Sequence, residues 1–207
     1  MRQLLAPFDV ELSDGQIDNL VQYLGLLLRW NQKINLTSIR TPEECITRHF
    51  GESLLLSRVV SLTGRLLDIG SGAGFPGLAL KLMASELEVV LLEPIAKKRA
   101  FLKEVARTCG LPSVSVVGSR LLEFCAIERP NSFDIVTVRA VGGIESMVSA
   151  ATRLLKPGGW FCLWIGRHQA KEVQSANPHL QWLDPVAIPL SQEREILAGR
   201  ARDGVSE

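Results

Sequence analysis

The chain has 207 residues, of which 46% are hydrophobic and 22% charged, and its formal net charge is +1. This length suits one α/β domain with a small accessory element, and the composition excludes disordered and fibrous classes. With so little net charge, any contact to nucleic acid must come from local clusters of Lys and Arg. The four cysteines form no C-x-x-C pair, which argues against a zinc site, a redox motif or a disulfide framework. No apolar run is long enough for a signal peptide or a membrane span, so we expect a cytoplasmic protein without a membrane partner.

The first sixty or so residues carry helical patterns. Ser13 can cap a helix whose apolar residues recur at helical spacing as far as Trp30. The run Thr41-Pro42-Glu43-Glu44 offers an N-cap, a proline in the first turn and a capping-box glutamate, so a second helix begins there and continues through Phe50. We predict an N-terminal helical extension over residues 1–62.

Residues 63–207 alternate short β-rich runs with amphipathic segments, which is typical of a mostly parallel sheet with crossover helices. The predicted strands are Arg65 to Ile69, Glu88 to Leu92, Ser113 to Val117, Phe133 to Val138 and Trp160 to Ile165. The predicted helices are Pro76 to Met83, Ala96 to Cys109 and Ile144 to Leu155. Two further stretches, Gln181 to Ile188 and Glu195 to Ala201, are expected to pair as an antiparallel hairpin at the sheet edge.

A glycine-rich loop follows the first predicted strand and reads Asp68-Ile69-Gly70-Ser71-Gly72-Ala73-Gly74-Phe75-Pro76-Gly77. Glycine permits the positive φ angles and the close backbone approach that a ligand requires where a strand turns into a helix. Gly72 to Gly77 also satisfies G-x-G-x-x-G, so a nicotinamide-dependent oxidoreductase must be considered. That motif alone does not decide the cofactor.

Three features bear on the choice of cofactor. Asp68 stands just before the glycines, where a carboxylate suits a cationic ammonium or sulfonium and is poorly placed for a pyrophosphate. Glu93 ends the second strand about 20 residues after Gly74, the spacing of an acid that accepts hydrogen bonds from ribose hydroxyls in either cofactor class. The turn Lys156-Pro157-Gly158-Gly159 resembles the turn before the fifth strand of class I S-adenosylmethionine-dependent methyltransferases.

The segment Trp30-Asn31-Gln32-Lys33-Ile34-Asn35-Leu36-Thr37, the pair Arg48-His49 and the loop DIGSGAGFPG together resemble the glucose-inhibited division protein B family. That family comprises methyltransferases acting on guanine N-7 of small-subunit (16S) ribosomal RNA. The resemblance spans nearly the whole chain. It implies a class I methyltransferase fold with S-adenosylmethionine as cofactor and 16S ribosomal RNA, free or in the small-subunit particle, as partner. The alternatives are a methyltransferase of a small molecule or protein, and a nicotinamide oxidoreductase.

The resemblance also implies a cofactor site. Gly70 and Phe75 would line it, Leu121 and Leu122 would flank the adenine, and Arg139 would face the methyl-transfer centre as the catalytic residue. The two leucines could equally be ordinary core, and Arg139 could form a surface salt bridge. Arg139 nevertheless ends a strand at the edge where open α/β sheets bind ligands. The complete predicted cofactor set is Asp68, Gly70, Gly72, Gly74, Phe75, Glu93, Leu121, Leu122 and Arg139.

Cations that could hold RNA phosphates occur in several places along the chain. The predicted RNA-binding residues are Lys33, Arg48, Lys97, Lys98 and Arg167. The chain departs from the family at the end of the fifth strand, where Ile165-Gly166 replaces the usual Lys-Gly, so a cationic role there would move to Arg167. Glu52-Ser53 replaces the common Asp-Ser after the Arg-His pair and keeps the carboxylate.

The segment after the fourth strand, Arg139-Ala140-Val141-Gly142-Gly143, has neither an Asn/Asp-Pro-Pro-aromatic motif for an exocyclic amine nor a Pro-Cys nucleophile. Guanine N-7 has an in-plane lone pair, so its methylation requires alignment and no general base. His49, beside Arg48, could contact RNA, although a histidine next to a basic residue is more often a solvated surface group. The histidines have no metal-ligand spacing, so we expect no metal, and we expect a monomer.

Overall fold

A computed structural model describes residues 1–139 and 144–202. For residues 144–146 it describes the backbone alone. Its eight strands are β1 Arg65–Ile69, β2 Glu88–Leu92, β3 Val114–Val117, β4 Phe133–Arg139, β5 Leu155–Gly166, β6 Leu180–Trp182, β7 Val186–Ala187 and β8 Arg194–Ala201. They form one sheet in the order β3-β2-β1-β4-β5-β8-β6, with β7 also paired to β8. Strands β1 to β5 are parallel to one another. The carboxyl ends of these five strands therefore share one edge, which we call the catalytic edge.

The predicted C-terminal antiparallel pair is confirmed, with a detail that sequence did not indicate. β8 lies between β5 and β6 and is antiparallel to both. The single predicted stretch Gln181 to Ile188 is two short strands, β6 and β7, that pair with different parts of β8. Because β8 is antiparallel, its first residue, Arg194, lies at the catalytic edge opposite Gly166.

The helices are α1 Arg2–Leu5, α2 Asp14–Asn31, α3 Pro42–Glu44, α4 Glu52–Leu54, α5 Gly77–Met83, α6 Ala96–Thr108, α7 Leu121–Cys125, α8 Ile144–Thr152 and α9 Ala170–Ala176. Short 3-10 turns follow at Ala6–Phe8, Leu55–Arg58 and Arg167–Gln169. Ser13 caps α2 with a full capping box to Gln16, as its sequence predicts. Thr41 caps α3, and the helix continues from there as a π-helical segment, Cys45–Gly51. π-Helical geometry is rare and occurs frequently at functional sites.

Two predicted boundaries are wrong. The sequence predicts a turn at Lys156–Gly159 before a strand that begins at Trp160. In the structure β5 already begins at Leu155, and its pairing with β4 shifts register between Phe133 and Ile135. The preceding helix ends at Thr152 instead of Leu155. The Pro-Gly-Gly sequence therefore forms an irregularity within the strand and does not separate helix from strand. The segment Ala140 to Gly143 and the last five residues lie outside the described residues.

Helices cover both faces of the sheet. One hydrophobic core joins α2, the π-helical segment, α5 and α6 to one face, and a second core joins α7, α8 and α9 to the other. Strand residues alternate between them, so that Leu66 packs in the first core and Leu67 in the second. The N-terminal helices thus share a core with the sheet, while the division of the chain at residue 62 stays a prediction.

Candidate active site

The glycine loop leaves the end of β1 at the catalytic edge. Gly70, Gly72 and Gly74 have φ angles of 70°, 56° and 87°, the left-handed region that favours glycine. A Cβ on Gly74 would overlap the Tyr23 hydroxyl and lie 2.7 Å from the Leu78 Cδ1 atom, so this glycine is sterically required. A Cβ on Gly72 would have no neighbour closer than 3.7 Å. The loop is therefore packed on its Gly74 side and open on its Gly72 side.

Asp68 lies beneath this loop and is 1% exposed. Its Oδ1 atom accepts a hydrogen bond of 2.8 Å from the Thr137 hydroxyl, and its Oδ2 atom accepts one of 3.2 Å from the Gly77 amide. Burial raises the pKa of this carboxyl to about 6, against the opposing effect of these hydrogen bonds. Asp68, the residue predicted to attract a cationic ligand, therefore also holds the end of the loop at Gly77 to the sheet at Thr137.

Glu93 follows β2 and is 3% exposed. Its carboxylate accepts hydrogen bonds from the Gly72 amide at 2.9 Å and from the Ile95 amide at 2.8 Å. The predicted ribose acceptor and the glycine loop are therefore in direct contact. Each carboxylate oxygen can accept more than one hydrogen bond, so these two contacts leave acceptor capacity for a ligand.

Three parallel rings support the outer part of the loop. Phe75 stacks on Tyr23 at a centroid distance of 5.2 Å and on His49 at 4.7 Å. The Tyr23 hydroxyl donates a hydrogen bond to the Ala73 carbonyl, which attaches α2 to the loop. Burial raises the Tyr23 pKa well above its usual value. Sequence analysis missed Tyr23, because no local pattern indicates a contact to a residue fifty positions away.

His49 is not the solvated group expected from its neighbour Arg48. Its Nε2 atom hydrogen-bonds the Thr37 hydroxyl at 2.9 Å, and burial, with Arg139 and Arg48 nearby, lowers its pKa to about 3. The imidazole is therefore neutral over the whole physiological pH range. Its role in the structure is to pack against Phe75.

Arg139 ends β4 and is held by the N-terminal segment. Its guanidinium forms an ion pair of 2.9 Å with Glu52, which is 2% exposed and also pairs with Arg194 at 2.6 Å. Further hydrogen bonds reach the Ser53 hydroxyl at 3.3 Å and the Arg48 carbonyl. Arg139 thus belongs to a cluster in which the buried Glu52 carboxylate pairs with two arginines, and the alternative of a simple surface salt bridge is wrong. Sequence analysis noted Glu52 only as a replaced aspartate and missed Arg194.

Leu121 and Leu122 begin α7, just after β3. Leu121 packs against the second core, whereas Leu122 is 73% exposed. The alternative that both are ordinary core is therefore wrong for Leu122. A large apolar side chain exposed beside the ends of β2 and β3 is suited to contact with a flat apolar ligand face.

The predicted RNA-binding cations lie in three places. Lys97 and Lys98 stand in the first turn of α6, three and four residues beyond Pro94. Arg48 and Arg167 are both exposed, and both adjoin the connection before β8: Arg48 lines a cavity with it, and the Arg167 amide donates to the Glu193 carbonyl at 2.8 Å. Lys33 is exposed just after α2.

Within the described ranges, no three His, Cys, Asp or Glu side chains are grouped as metal ligands. The same part of the chain contains no helix with the length and apolar character to cross a bilayer.

This sheet order, with a glycine loop after β1 and a carboxylate after β2, defines a class I S-adenosylmethionine-dependent methyltransferase. The solved structure of such an enzyme from Aquifex aeolicus superposes with a TM-score of 0.62 at 14% identity, over 76% of this chain and 92% of that one, which shows the shared fold. A family model described as GidB, rRNA small subunit methyltransferase G, matches residues 16–196.

Two relatives carry the same description. The ribosomal RNA small subunit methyltransferase G of Desulfitobacterium hafniense is 40% identical over 173 residues, covering 83% of this chain and 72% of the relative. The enzyme of the same description from Xylella fastidiosa is 35% identical over 196 residues, which cover 93% of this chain and 91% of the relative. The chain belongs to this family, and it is therefore a methyltransferase of small-subunit ribosomal RNA and not a nicotinamide oxidoreductase.

Proposed function

We propose that this chain transfers the methyl group of S-adenosylmethionine to N-7 of a guanine in 16S ribosomal RNA. The observation that carries the proposal is the chemistry around Arg139. The acidic and imidazole side chains close enough to interact with it are Glu52, which is engaged in two ion pairs, His49, whose pKa is about 3, and Asp68, whose pKa is about 6. Asp68 is 1% exposed and its two carboxylate oxygens already accept hydrogen bonds from Thr137 and Gly77. None of the three is therefore suited to act as a general base on the substrate at neutral pH. A target nitrogen with its own lone pair is the kind of nucleophile that such a site can use.

The residues present fit the cofactor. The open side of Gly72, with the Glu93 carboxylate against it, suits the ribose, and the exposed Leu122 with Leu121 suits the adenine. Gly70, Gly74 and Phe75 would shape the loop against the ligand, with Asp68 fixing its end. The bound cofactor supplies an electrophilic methyl group on a sulfonium.

The protein's contribution to the reaction is alignment. Holding the nitrogen, methyl carbon and sulfur in line is able to contribute about 7 to 11 kcal/mol towards the barrier. Arg139 would hydrogen-bond either the guanine edge or the cofactor carboxylate, and its ion pair with Glu52 fixes its orientation for either task. N-7 becomes cationic as the methyl group arrives and carries no proton to be removed.

The reaction itself provides the test. Small subunits and free 16S ribosomal RNA, both lacking the modification, would be incubated with the protein and S-adenosylmethionine labelled in the methyl group. We expect label in the RNA and strand cleavage at one guanosine under conditions specific for 7-methylguanosine. Label at another base atom would contradict the N-7 assignment, and label in ribosomal protein or in a small molecule would favour the alternative methyltransferases.

Glu93 offers a test of the cofactor site. Glu93→Ala should weaken S-adenosylmethionine binding by roughly 1.5 to 3 kcal/mol, because a charged hydrogen-bond partner is lost. Calorimetry should also use a cofactor analogue that lacks both ribose hydroxyls, since Glu93 also holds the Gly72 amide. If Glu93 binds the ribose, the substitution costs less with the analogue than with the natural cofactor.

Glu88→Ala, at the opposite end of β2, is the matched control for this measurement and should leave cofactor affinity unchanged. An equal loss with both cofactors would assign Glu93 to loop support alone. Unchanged affinity in folded Glu93→Ala would remove it from the site.

We propose that Lys33, Arg48, Lys97, Lys98 and Arg167 bind RNA phosphates. The exposure of Lys33, Arg48 and Arg167 supports this, as does the position of Lys97 and Lys98 in the first turn of α6, where positive charge gains nothing from the helix dipole. The substrate would be met in the cytoplasm, as free 16S ribosomal RNA or in the small-subunit particle. That the protein acts as a monomer without a membrane partner stays a prediction.

Charge reversal at Lys33, Arg48 and Lys98 together should lower RNA affinity and flatten its salt dependence, because fewer counterions are released on binding. Binding would be measured across a range of salt concentrations, with calorimetry to confirm unchanged cofactor affinity. Arg153→Glu, near the amino end of β4 and away from the catalytic edge, is the control. A wild-type salt slope in the triple variant would exclude this surface.

A further inference from the structure

The connection between β7 and β8 is a closed and ordered loop, which we call the 188–194 loop. The Ile188 amide donates to the Arg194 carbonyl at 3.1 Å, and the Ser191 amide donates to the Ile188 carbonyl at 3.2 Å. The Arg194 amide donates to the Ser191 hydroxyl at 3.1 Å. These hydrogen bonds fix the backbone on both sides of Leu190.

Leu190 at the tip of this loop is unfavourably placed in two respects. It has a φ of 62°, in the left-handed region that is uncommon for residues other than glycine, and it is 71% exposed. Backbone strain of this kind persists where the surrounding structure enforces it, and it is concentrated at binding and catalytic sites. A single exposed leucine is ordinary on a protein surface, but one whose strained backbone is held in place by hydrogen bonds is the kind of feature that occurs at contact sites.

A cavity of about 350 Å³ lies beside the loop, lined by Arg48 and residues 190–194. This volume is within the range of small-ligand sites. It is located at the catalytic edge, because Arg194 pairs with Gly166 at the end of β5. Two exposed arginines from distant parts of the sequence are positioned at it: Arg48 lines it, and the backbone amide of Arg167 donates to the carbonyl of Glu193, another lining residue.

The cavity is directly connected to the proposed catalytic centre. The Arg194 guanidinium pairs with Glu52, whose other carboxylate oxygen pairs with Arg139. The Arg48 carbonyl accepts a hydrogen bond from the same Arg139. A ligand in the cavity would therefore lie next to whatever Arg139 contacts.

We propose that this cavity binds one nucleotide of the RNA chain adjoining the target guanosine, an inference that rests on the proposed function. The Leu190 side chain packs on the face of that nucleotide's base, and the guanidinium groups of Arg48 and Arg167 bind its phosphates. Gln192 and Glu193 bring an amide and a carboxylate to the polar edge of the base. An exocyclic amino group on the base would donate a hydrogen bond to the Glu193 carboxylate. The site therefore favours adenine, cytosine or guanine over uracil, which has no such group.

Leu190→Ala should lower affinity for unmethylated small-subunit RNA about five- to tenfold, since the apolar surface that the leucine buries against the base face is lost. Its salt slope should equal that of wild type, because no phosphate contact is lost. Arg48→Ala should lower affinity and also reduce the salt slope by about one. Ile127→Ala, which truncates an equally exposed apolar side chain elsewhere, should change neither quantity.

Cofactor affinity and melting temperature, measured on each variant, separate a damaged fold from a lost contact. A photoreactive benzoylphenylalanine at position 190 identifies what the loop touches in the assembled subunit, and we expect a crosslink to a nucleotide beside the target guanosine. A crosslink to ribosomal protein, or wild-type RNA affinity in Leu190→Ala, would overturn the proposal. If wild-type protein does not methylate the RNA at all, the proposed function itself fails, which is a distinct result.

Discussion

Replacing Glu52 by glutamine is expected to destabilise the folded protein by about 3–5 kcal/mol, the range for breaking a buried ion pair by removing one partner. Glu52 is 2% exposed and its carboxylate is shared by Arg139 and Arg194. The amide would leave two guanidinium groups close together with no counter-charge. Denaturant unfolding measures the effect, with a lower transition midpoint and an unchanged slope.

Glu88→Gln is the control, because it neutralises a carboxylate that is 57% exposed, and its ion pair with Arg65 should contribute less than about 1 kcal/mol. The second arm is Glu52→Asp, which keeps the charge and shortens the side chain by one methylene. It should recover part of the lost stability. Equal destabilisation by Gln and Asp would mean that side-chain length and packing, not charge, explain the effect.

Arg139→Ala should lower the single-turnover rate of methyl transfer by on the order of a hundredfold, through lost positioning of the reactants. The loss should be the same across pH 6 to 9, because arginine stays protonated throughout. Wild-type rates at saturating cofactor and RNA should likewise show no ionisation between pH 7 and 9, which lies above the Asp68 pKa of about 6. The His49 pKa of about 3 removes the nearest imidazole from titration near neutrality, and guanine N-7 requires no base.

Arg139→Lys distinguishes charge from geometry, because lysine keeps the charge but lacks the planar fork that Glu52 and Ser53 hold. We expect a rate close to that of the alanine variant. A wild-type rate that rises tenfold per pH unit near neutrality, and loses that rise in His49→Phe, would show that a base operates and that the N-7 assignment is wrong.

The strands, the amphipathic helices and the glycine loop were predictable from sequence because their signals are local. Short, nearly continuous apolar runs mark β1, β2 and β4, and closely spaced glycines mark a turn with left-handed backbone. The position of Glu93 at the end of β2 was also predictable, because the β1–α5–β2 crossover unit that leads to it has an ordinary length. Its hydrogen bond to the Gly72 amide is the expected consequence of adjacent parallel strands.

The supports of the site were not predictable, because each joins residues far apart in sequence. Tyr23 reaches Ala73 across fifty positions, and Arg194 reaches Glu52 across 142. A tyrosine on an amphipathic helix and an arginine before a strand look like ordinary core and surface residues. His49 likewise has no sequence signal for burial, since only the tertiary contact with Phe75 removes it from solvent.

The attachment of Tyr23 to the glycine loop has a consequence for biosynthesis. Helix α2 is synthesised before β1 and the loop, so the apolar face formed by Leu20, Tyr23 and Leu27 at first lacks the sheet and the loop that cover it in the folded protein. The loop in turn is secured only once β2 supplies the Leu92 carbonyl to the Gly70 amide at 2.8 Å. Glu52 acquires its second cation later still, when β8 is made. We therefore expect a nascent chain to bind cofactor, and to methylate RNA, only after β8 has emerged and paired with β5.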